Sequence, residues 1–254
     1  MADHLPAPNR ALTIRVFRHD PADPASVPRI QAYPLAEESG MTLFTALHRI
    51  RDEQDPSLAF DFSCRSAMCG SCGMLVNGRP RLACRTMTRD LPAVIQLMPM
   101  PVFRLVRDLS VDTGVWFQAM NGRIEGWLCE AHPFDPAAPE DRMDQATVDA
   151  VYQADRCIEC GLCVAGCATV AMRPDFLGPA GLNRIARFIL DPRDVRGAAD
   201  FSVLSSSEGV FGCLGLLGCH DYCPKDLPLR ERFAYLRRSL AWNLLGLSGR
   251  GKGR

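Results

Sequence analysis

Twelve cysteines in 254 residues fall into two arrays with one left over, and their spacings dictate how the chain must close on itself. Cys157, Cys160, Cys163 and Cys167 are separated by two, two and three residues, and a partial copy follows at Cys213, Cys219 and Cys223-Pro224. Paired runs of this kind hold two iron-sulfur clusters, and the fourth cysteine of each run crosses to the other cluster. That rule groups Cys157, Cys160 and Cys163 with Cys223, and Cys213 and Cys219 with Cys167. The first set has four thiolates, the second three. A complete copy would carry its middle cysteine three residues after Cys213, where the chain has Leu216. Leucine cannot ligate iron, so the spacing predicts one 4Fe-4S cluster and one 3Fe-4S cluster lacking its corner iron.

The other array is Cys64-x4-Cys69-x2-Cys72, with Cys84 after eleven further residues. Four and then two intervening residues before a distant fourth cysteine is the plant-type 2Fe-2S spacing. Gly70 and Gly73 stand beside ligands, where backbone must wrap closely and a missing Cβ permits it. Structural zinc is the alternative, but zinc sites group their cysteines in closer pairs than Cys64 and Cys69. Disulfides are disfavoured, because "MADHLPAPNR" contains no apolar secretory segment. Cys129, in "GWLCEAH", is the odd cysteine and is expected to be a buried free thiol. No C-x-x-C-H occurs, so no c-type haem is expected.

Three clusters in one chain suggest a conduit for single electrons. Lysine plus arginine equal aspartate plus glutamate at 29 each, so no nucleic-acid partner is expected. The 47% hydrophobic content suffices for real cores. No run of eighteen apolar residues occurs to span a membrane, so a membrane role must come through a partner.

A first domain is expected over residues 10–105. "LTIRVFR" alternates Leu12, Ile14 and Val16 with polar residues, as a half-buried strand does. "TLFTALHRIRDEQD" places Leu43, Leu47 and Ile50 on one helical face behind Thr42 as N-cap. "MLVNGRPRLAC" has Asn77-Gly78 between apolar runs, a hairpin signal leading directly to Cys84. Residues 101–112 put Val102, Leu105, Val106 and Leu109 on one face of a predicted helix. That helix opens a second, mostly helical domain over 106–240. Residues 130–142 read as a proline-rich surface loop. Helices are predicted leading into Cys157, at "GLNRIARFILDPRD" with Leu182, Ile185, Ala186 and Ile189 together, and after Pro228 with Leu229, Phe233, Leu236 and Leu240 aligned. Residues 241–254 form a tail whose "GLSGRGKGR" reads as disordered.

The strings "FSCRSAMCGSCGMLVNGRPRLACRT", "RDLSVDTGVWF", "DRCIECGLCVAGC", "GPAGLNRIARFILDPRD" and "GVFGCLGLLGCHDYCPKDLPL" resemble the iron-sulfur subunit of succinate dehydrogenases and quinol:fumarate reductases. Several are most similar to fumarate reductases whose anchor is a dihaem cytochrome b. The resemblance implies an α+β chain, with an N-terminal β-grasp plant-type ferredoxin domain followed by a helical bacterial-ferredoxin-like domain. It implies the same ligands: Cys64, Cys69, Cys72 and Cys84 for 2Fe-2S; Cys157, Cys160, Cys163 and Cys223 for 4Fe-4S; Cys167, Cys213 and Cys219 for 3Fe-4S.

It further implies a flavoprotein partner whose FAD interconverts succinate and fumarate, a membrane-anchor cytochrome b carrying haem b, and menaquinone or another quinone at that anchor. The chain would then lie peripherally on the cytoplasmic face of the inner membrane. No acid-base pair for dicarboxylate chemistry is evident, so the contribution of this chain is to position and tune cofactors. The sequence departs from many relatives at Ala168, where they have proline, and at Met172 and Leu214, where some have tryptophan and histidine.

Tuning is expected from the amides of "CRSAMCGSC" and from water exclusion by Phe211, Leu214, Leu216 and Leu217. His220 is expected to make a structural hydrogen bond, and Arg237 to sit on a solvated basic helix face. The C-terminal stretch around Trp242, Leu244, Leu245 and Leu247 could dock on a partner or touch an anionic membrane. Succinate dehydrogenase, running in the opposite direction, is the alternative within the family. A free multi-cluster ferredoxin and an iron-sulfur sensor are alternatives outside it.

Overall fold

The structure is a computed structural model that describes residues 10–124, 126–130, 136–137 and 142–246. In β1 (Ala11–Arg18) the inward residues Leu12, Ile14 and Val16 are fully buried, as their alternation requires. Antiparallel β2 (Arg29–Ala36) pairs Tyr33 with Ile14. The helix α1 (Leu43–Glu53) begins where the sequence signals it. The Thr45 amide donates to Thr42 Oγ1 at 3.2 Å and the Thr42 amide donates back to Thr45 Oγ1 at 2.9 Å, a reciprocal cap. Leu43, Phe44, Ala46, Leu47 and Ile50 form its buried stripe.

The predicted hairpin is β3 (Gly73–Val76) and β4 (Arg79–Leu82), turned by Asn77 and Gly78 at φ 49° and 78°. Two left-handed residues are what a two-residue hairpin turn demands. β5 (Val94–Met98) runs parallel to β1 and antiparallel to β3, giving a mixed sheet in the order β2-β1-β5-β3-β4.

Residues 101–112 are not the helix that their apolar spacing predicts. They form a second hairpin, β6 (Arg104–Arg107) and β7 (Ser110–Asp112). Val102 and Asp108 have φ of 77° and 51°, which no helix tolerates. The buried carboxylate of Asp108 decides the turn. It accepts from the amides of His19 at 3.0 Å and Ala59 at 2.9 Å, and pairs with Arg18 Nε at 3.0 Å. These partners lie far away in sequence, so a local pattern could not anticipate them.

Arg18 itself is buried at the end of β1 and joins four groups. It pairs with both Asp108 and Asp55, and its Nη2 donates to Ser57 Oγ at 2.8 Å. Its Nη1 also donates to the Tyr33 hydroxyl, which in turn donates to Asp55 Oδ2 at 2.6 Å. Burial opposes ionisation of Asp55, but hydrogen bonds from Ser57, Tyr33 and Arg18, with the Arg18 charge, hold its carboxyl well below the usual carboxylate range.

The chain divides into two compact units, with the break at Thr113/Gly114 rather than at the 105/106 boundary expected from sequence. Within the second unit, α2 (Gly114–Ile124) and α3 (Gln145–Asp155) come first, and Asp144 caps α3 by accepting from the Thr147 amide at 3.0 Å. The short α4 (Leu162–Ala165) lies in Ile158–Gly166, which belongs to the first unit.

After α5 (Ala168–Met172), α6 (Gly178–Leu190) buries Leu182, Ile185, Ala186 and Phe188, whereas Ile189 is only half-buried. α6 packs between α3 and the last helix, α9 (Leu229–Leu244), which follows α7 (Ser202–Ser205) and α8 (Gly218–Asp221). The buried Asn183 side chain donates to the Ala154 carbonyl at 2.9 Å, tying α6 to α3. Leu229, Phe233, Leu236 and Leu240 form the buried stripe of α9 as predicted. Pro136 and Ala137 make an exposed turn, while the rest of the proline-rich loop between Glu130 and Arg142 lies outside the described residues. Beyond Gly246, so does the tail.

Candidate iron-sulfur centres

The loop from Cys64 to Cys72 carries three left-handed residues, Arg65, Ala67 and Gly70, at φ of 57°, 59° and 79°. That curl turns backbone N–H groups inward onto sulfur. Cys64 Sγ accepts from the amides of Ser66 at 3.4 Å, Met68 at 3.2 Å and Cys69 at 3.2 Å. Cys69 Sγ accepts from the Cys64 amide at 3.4 Å and from the Ser71 hydroxyl at 3.0 Å. The hairpin supplies the other pair. Cys72 stands just before β3 and Cys84 just after β4, and the Cys84 amide donates to Cys72 Sγ at 3.5 Å. All four cysteines of the first array are thereby gathered at one end of the sheet.

Their electrostatics differ. The Ser66 and Met68 amides bring the Cys64 thiol down to about 6, since a sulfur surrounded by N–H donors is stabilised as thiolate. Burial pushes Cys72 up to about 12. A thiol so placed ionises readily only against positive metal, which deprotonates a coordinating thiol outright. Amides aimed at sulfur and a buried thiol beside them fit an iron-sulfur cluster.

In the helical unit, Cys167 precedes α5, Cys213 follows a short turn at Val210–Gly212, and Cys219 is the second residue of α8. Cys219 is pushed up to about 12, first by burial and then by the neighbouring thiols of Cys167 and Cys213. The same three form the set that the crossover rule groups. Cys157 is pushed up to about 11 by burial and then by Cys223, its partner in the other set. Cys160 and Cys163 lie in the Ile158–Gly166 segment of the first unit. Among the described residues no three of His, Cys, Asp and Glu converge on a position for a single metal ion.

Four sequence expectations change. Phe211, Leu214 and Leu216 are 52%, 59% and 71% exposed, and Leu217 is exposed too, so in this chain they do not exclude water. Arg237 is exposed but not merely solvated: its Nη2 donates to the carbonyls of Cys213 at 3.0 Å and Val210 at 3.3 Å. His220 Nδ1 is buried without a hydrogen bond among the described residues, so the expected structural bond is not made by that nitrogen. The fourth is Cys129, which is exposed rather than buried. Its backbone is held by the 194–195 loop, with the Cys129 amide donating to Asp194 Oδ2 at 3.3 Å and the Val195 amide donating to the Cys129 carbonyl at 2.8 Å. The apolar neighbours in "GWLCEAH" predict burial, but Trp127 too points outward, at 85% exposure.

This exposure makes a testable difference between Cys129 and the other cysteines. In the cluster-loaded protein, a thiol-alkylating reagent is expected to label one cysteine quickly, and Cys129→Ser should abolish that labelling while leaving all three cluster spectra unchanged. A lost cluster signal in Cys129→Ser would make this thiol a ligand.

The description "2Fe-2S iron-sulfur cluster binding domain" matches residues 13–118, and "4Fe-4S dicluster domain" matches residues 153–227. Over 233 residues the chain is 51% identical to the fumarate reductase iron-sulfur subunit of Wolinella succinogenes, covering 91% of this chain and 98% of that one. It is 29% identical over 236 residues to the succinate dehydrogenase iron-sulfur subunit of Bacillus subtilis, covering 89% and 92%. Its fold is similar to a chain of the Mycobacterium smegmatis Sdh1 complex in the apo form, with a TM-score of 0.83 and 25% identity, covering 92% of this chain and 97% of that one. The chain therefore belongs to the family of iron-sulfur subunits of fumarate reductases and succinate dehydrogenases, with an N-terminal 2Fe-2S ferredoxin domain and a helical ferredoxin-like domain.

Proposed function

We propose that this chain is the electron-transfer subunit of a membrane-bound quinol:fumarate reductase. It carries electrons from quinol at a cytochrome b anchor to FAD in a flavoprotein that reduces fumarate. The observation that carries this reading is the 51% identity to a fumarate reductase subunit across 98% of that relative's length. When bound, the 2Fe-2S, 4Fe-4S and 3Fe-4S clusters supply one-electron carriers. The chain supplies their ligands and their surroundings. Cys64, Cys69, Cys72 and Cys84 hold the first; Cys157, Cys160, Cys163 and Cys223 the second; Cys167, Cys213 and Cys219 the third.

Amides from Ser66, Met68 and Cys69 and the Ser71 hydroxyl stabilise negative charge on the first set, and hydrogen bonds to sulfur are a main control of cluster potential. The Arg237 guanidinium braces the Cys213 carbonyl and so steadies the third set. Phe211, Leu214, Leu216 and Leu217 are four exposed apolar residues within seven positions, beside the third set in sequence. An apolar surface of this kind fits coverage by a partner, here the anchor. In this reading the subunit is peripheral on the cytoplasmic face of the inner membrane and held by that anchor; no helix among the described residues is long and apolar enough to cross a membrane.

The likeness to a chain of the Sdh1 complex favours succinate oxidation as a second reading. Purifying the native complex and comparing the two half-reactions decides between them. Quinol-driven fumarate reduction is expected to outpace succinate-driven quinone reduction. A complex that only oxidises succinate would reverse the direction, and elution of the chain without a flavoprotein would favour a free ferredoxin.

A further inference from the structure

Gly70 directly follows Cys69, and its backbone runs hard against Cys160. A Cβ built on Gly70 would stand 2.6 Å from Cys160 Cβ and 2.8 Å from its Cα, closer than such atoms approach. The neighbouring atoms are backbone and the root of a side chain, so they cannot swing aside. Gly70 also has φ 79°, which any L side chain adopts only with strain.

Cys160 is fixed from its other side. Glu159 and Gly161, which flank it, have φ of 51° and 76°, and a Cβ on Gly161 would meet the ring of the buried Phe103 at 2.7 Å. Gly70, Phe103 and Cys160 all belong to one compact unit. A loop carrying one array of cysteines and a loop from the other array therefore touch with no side chain between them, although 90 residues separate them in sequence.

Resting on the ligand sets above, we propose that the Gly70–Cys160 contact is the protein bridge for electron transfer between the 2Fe-2S and 4Fe-4S centres, and that Gly70 is the positioning residue that sets its width. The route runs from Cys160 across one van der Waals contact to Gly70 and along the peptide to Cys69. During fumarate reduction one electron leaves the centre held by Cys160, which is oxidised, and enters the centre held by Cys69, which is reduced. No bond breaks and no proton moves. Tunnelling weakens steeply with distance and most steeply across a gap, so the missing Cβ keeps the bridge at contact. Close packing for stability alone would account for a glycine too, but it predicts no change in communication between the centres when the contact is widened.

The test uses the cluster-loaded complex carrying Gly70→Ala, with Phe103→Leu as a second variant that loosens the support of Cys160 without changing a residue of either ligand loop. Two readouts are needed: the rate at which the 2Fe-2S signal appears after mixing with quinol, by rapid-freeze EPR, and the microwave power that half-saturates that signal in the fully reduced complex. Both variants should keep the spectrum of each centre, yet show a severalfold slower 2Fe-2S reduction and a lower half-saturation power, because the 4Fe-4S neighbour relaxes it less. Phe103→Leu carries the test if Gly70→Ala fails to assemble. Wild-type values for both readouts, in a variant that holds both centres, would overturn the bridge alone. Absence of either centre's signal in the wild-type complex would instead overturn the ligand sets, and the bridge with them.

Discussion

Replacing Leu216 with cysteine is expected to abolish the EPR signal of the 3Fe-4S centre in the oxidised complex. Leu216 stands three residues after Cys213, where a complete ligand run has its second cysteine, and a thiolate there can hold a fourth iron. It lies between Gly215 and Leu217, both left-handed at φ 74° and 58°, in the loop that leads from Cys213 to Cys219. With 71% of Leu216 exposed, the substitution removes no core packing, and its own effect on folding should stay within about 0.5 kcal/mol. Loss of the signal would therefore report cluster conversion rather than unfolding. Exchange with quinone should fall at the same time, since cluster type and charge set the potential. A carefully oxidised wild-type complex without a 3Fe-4S signal would show that the gap at Leu216 had been misread.

Arg18→Met is expected to destabilise the N-terminal unit by about 3–5 kcal/mol, the cost of removing one partner from a buried ion pair. Methionine keeps much of the volume of the arginine stem, so the change isolates the charge. It leaves the buried Asp108 with only the more distant Arg107 Nε, at 4.0 Å, in place of Arg18 Nε at 3.0 Å, and removes one of the groups holding Asp55 ionised. Thermal or denaturant unfolding of the cluster-loaded complex measures the difference.

The pH dependence follows from the sign of the Asp55 shift. Its folded-state carboxyl is depressed, so its contribution is fully present above the unfolded value of about 3.9 and disappears as pH falls through the lower folded value. The gap between wild type and Arg18→Met should thus be constant from pH 7 to about 5 and narrow below about 4. Unfolding of the variant within about 1 kcal/mol of wild type at pH 7 would mean that water, rather than Arg18, satisfies the two carboxylates.

The cysteine arrays were legible in the sequence because ligation is a matter of residue type and short spacing. Cys64, Cys69 and Cys72 must lie within one loop, and the Asn77-Gly78 turn then has no choice but to return the chain to Cys84. The same holds for β1, α1 and α9, whose apolar periods of two and 3.6 state directly which face is buried. The Cys167 and Cys213 thiols lie close enough to raise Cys219, and the Cys223 thiol close enough to raise Cys157, which supports the proposed crossover sets.

What only the tertiary structure decided depends on partners far along the chain. Residues 101–112 have a helical apolar pattern, yet Asp108 finds two amides and a guanidinium 49 to 90 residues away, and satisfying that buried carboxylate outweighs the pattern. Cys129 and the Phe211–Leu217 stretch have apolar neighbours in sequence but few in space, because exposure is a property of the surrounding surface rather than of the local string. The Arg237 bonds to the Cys213 loop and the meeting of Gly70 with Cys160 join segments that no periodicity connects. Short-range chemistry is written in the order of residues, whereas contact across long separations exists only once loop closure has been compensated by everything else the fold buries.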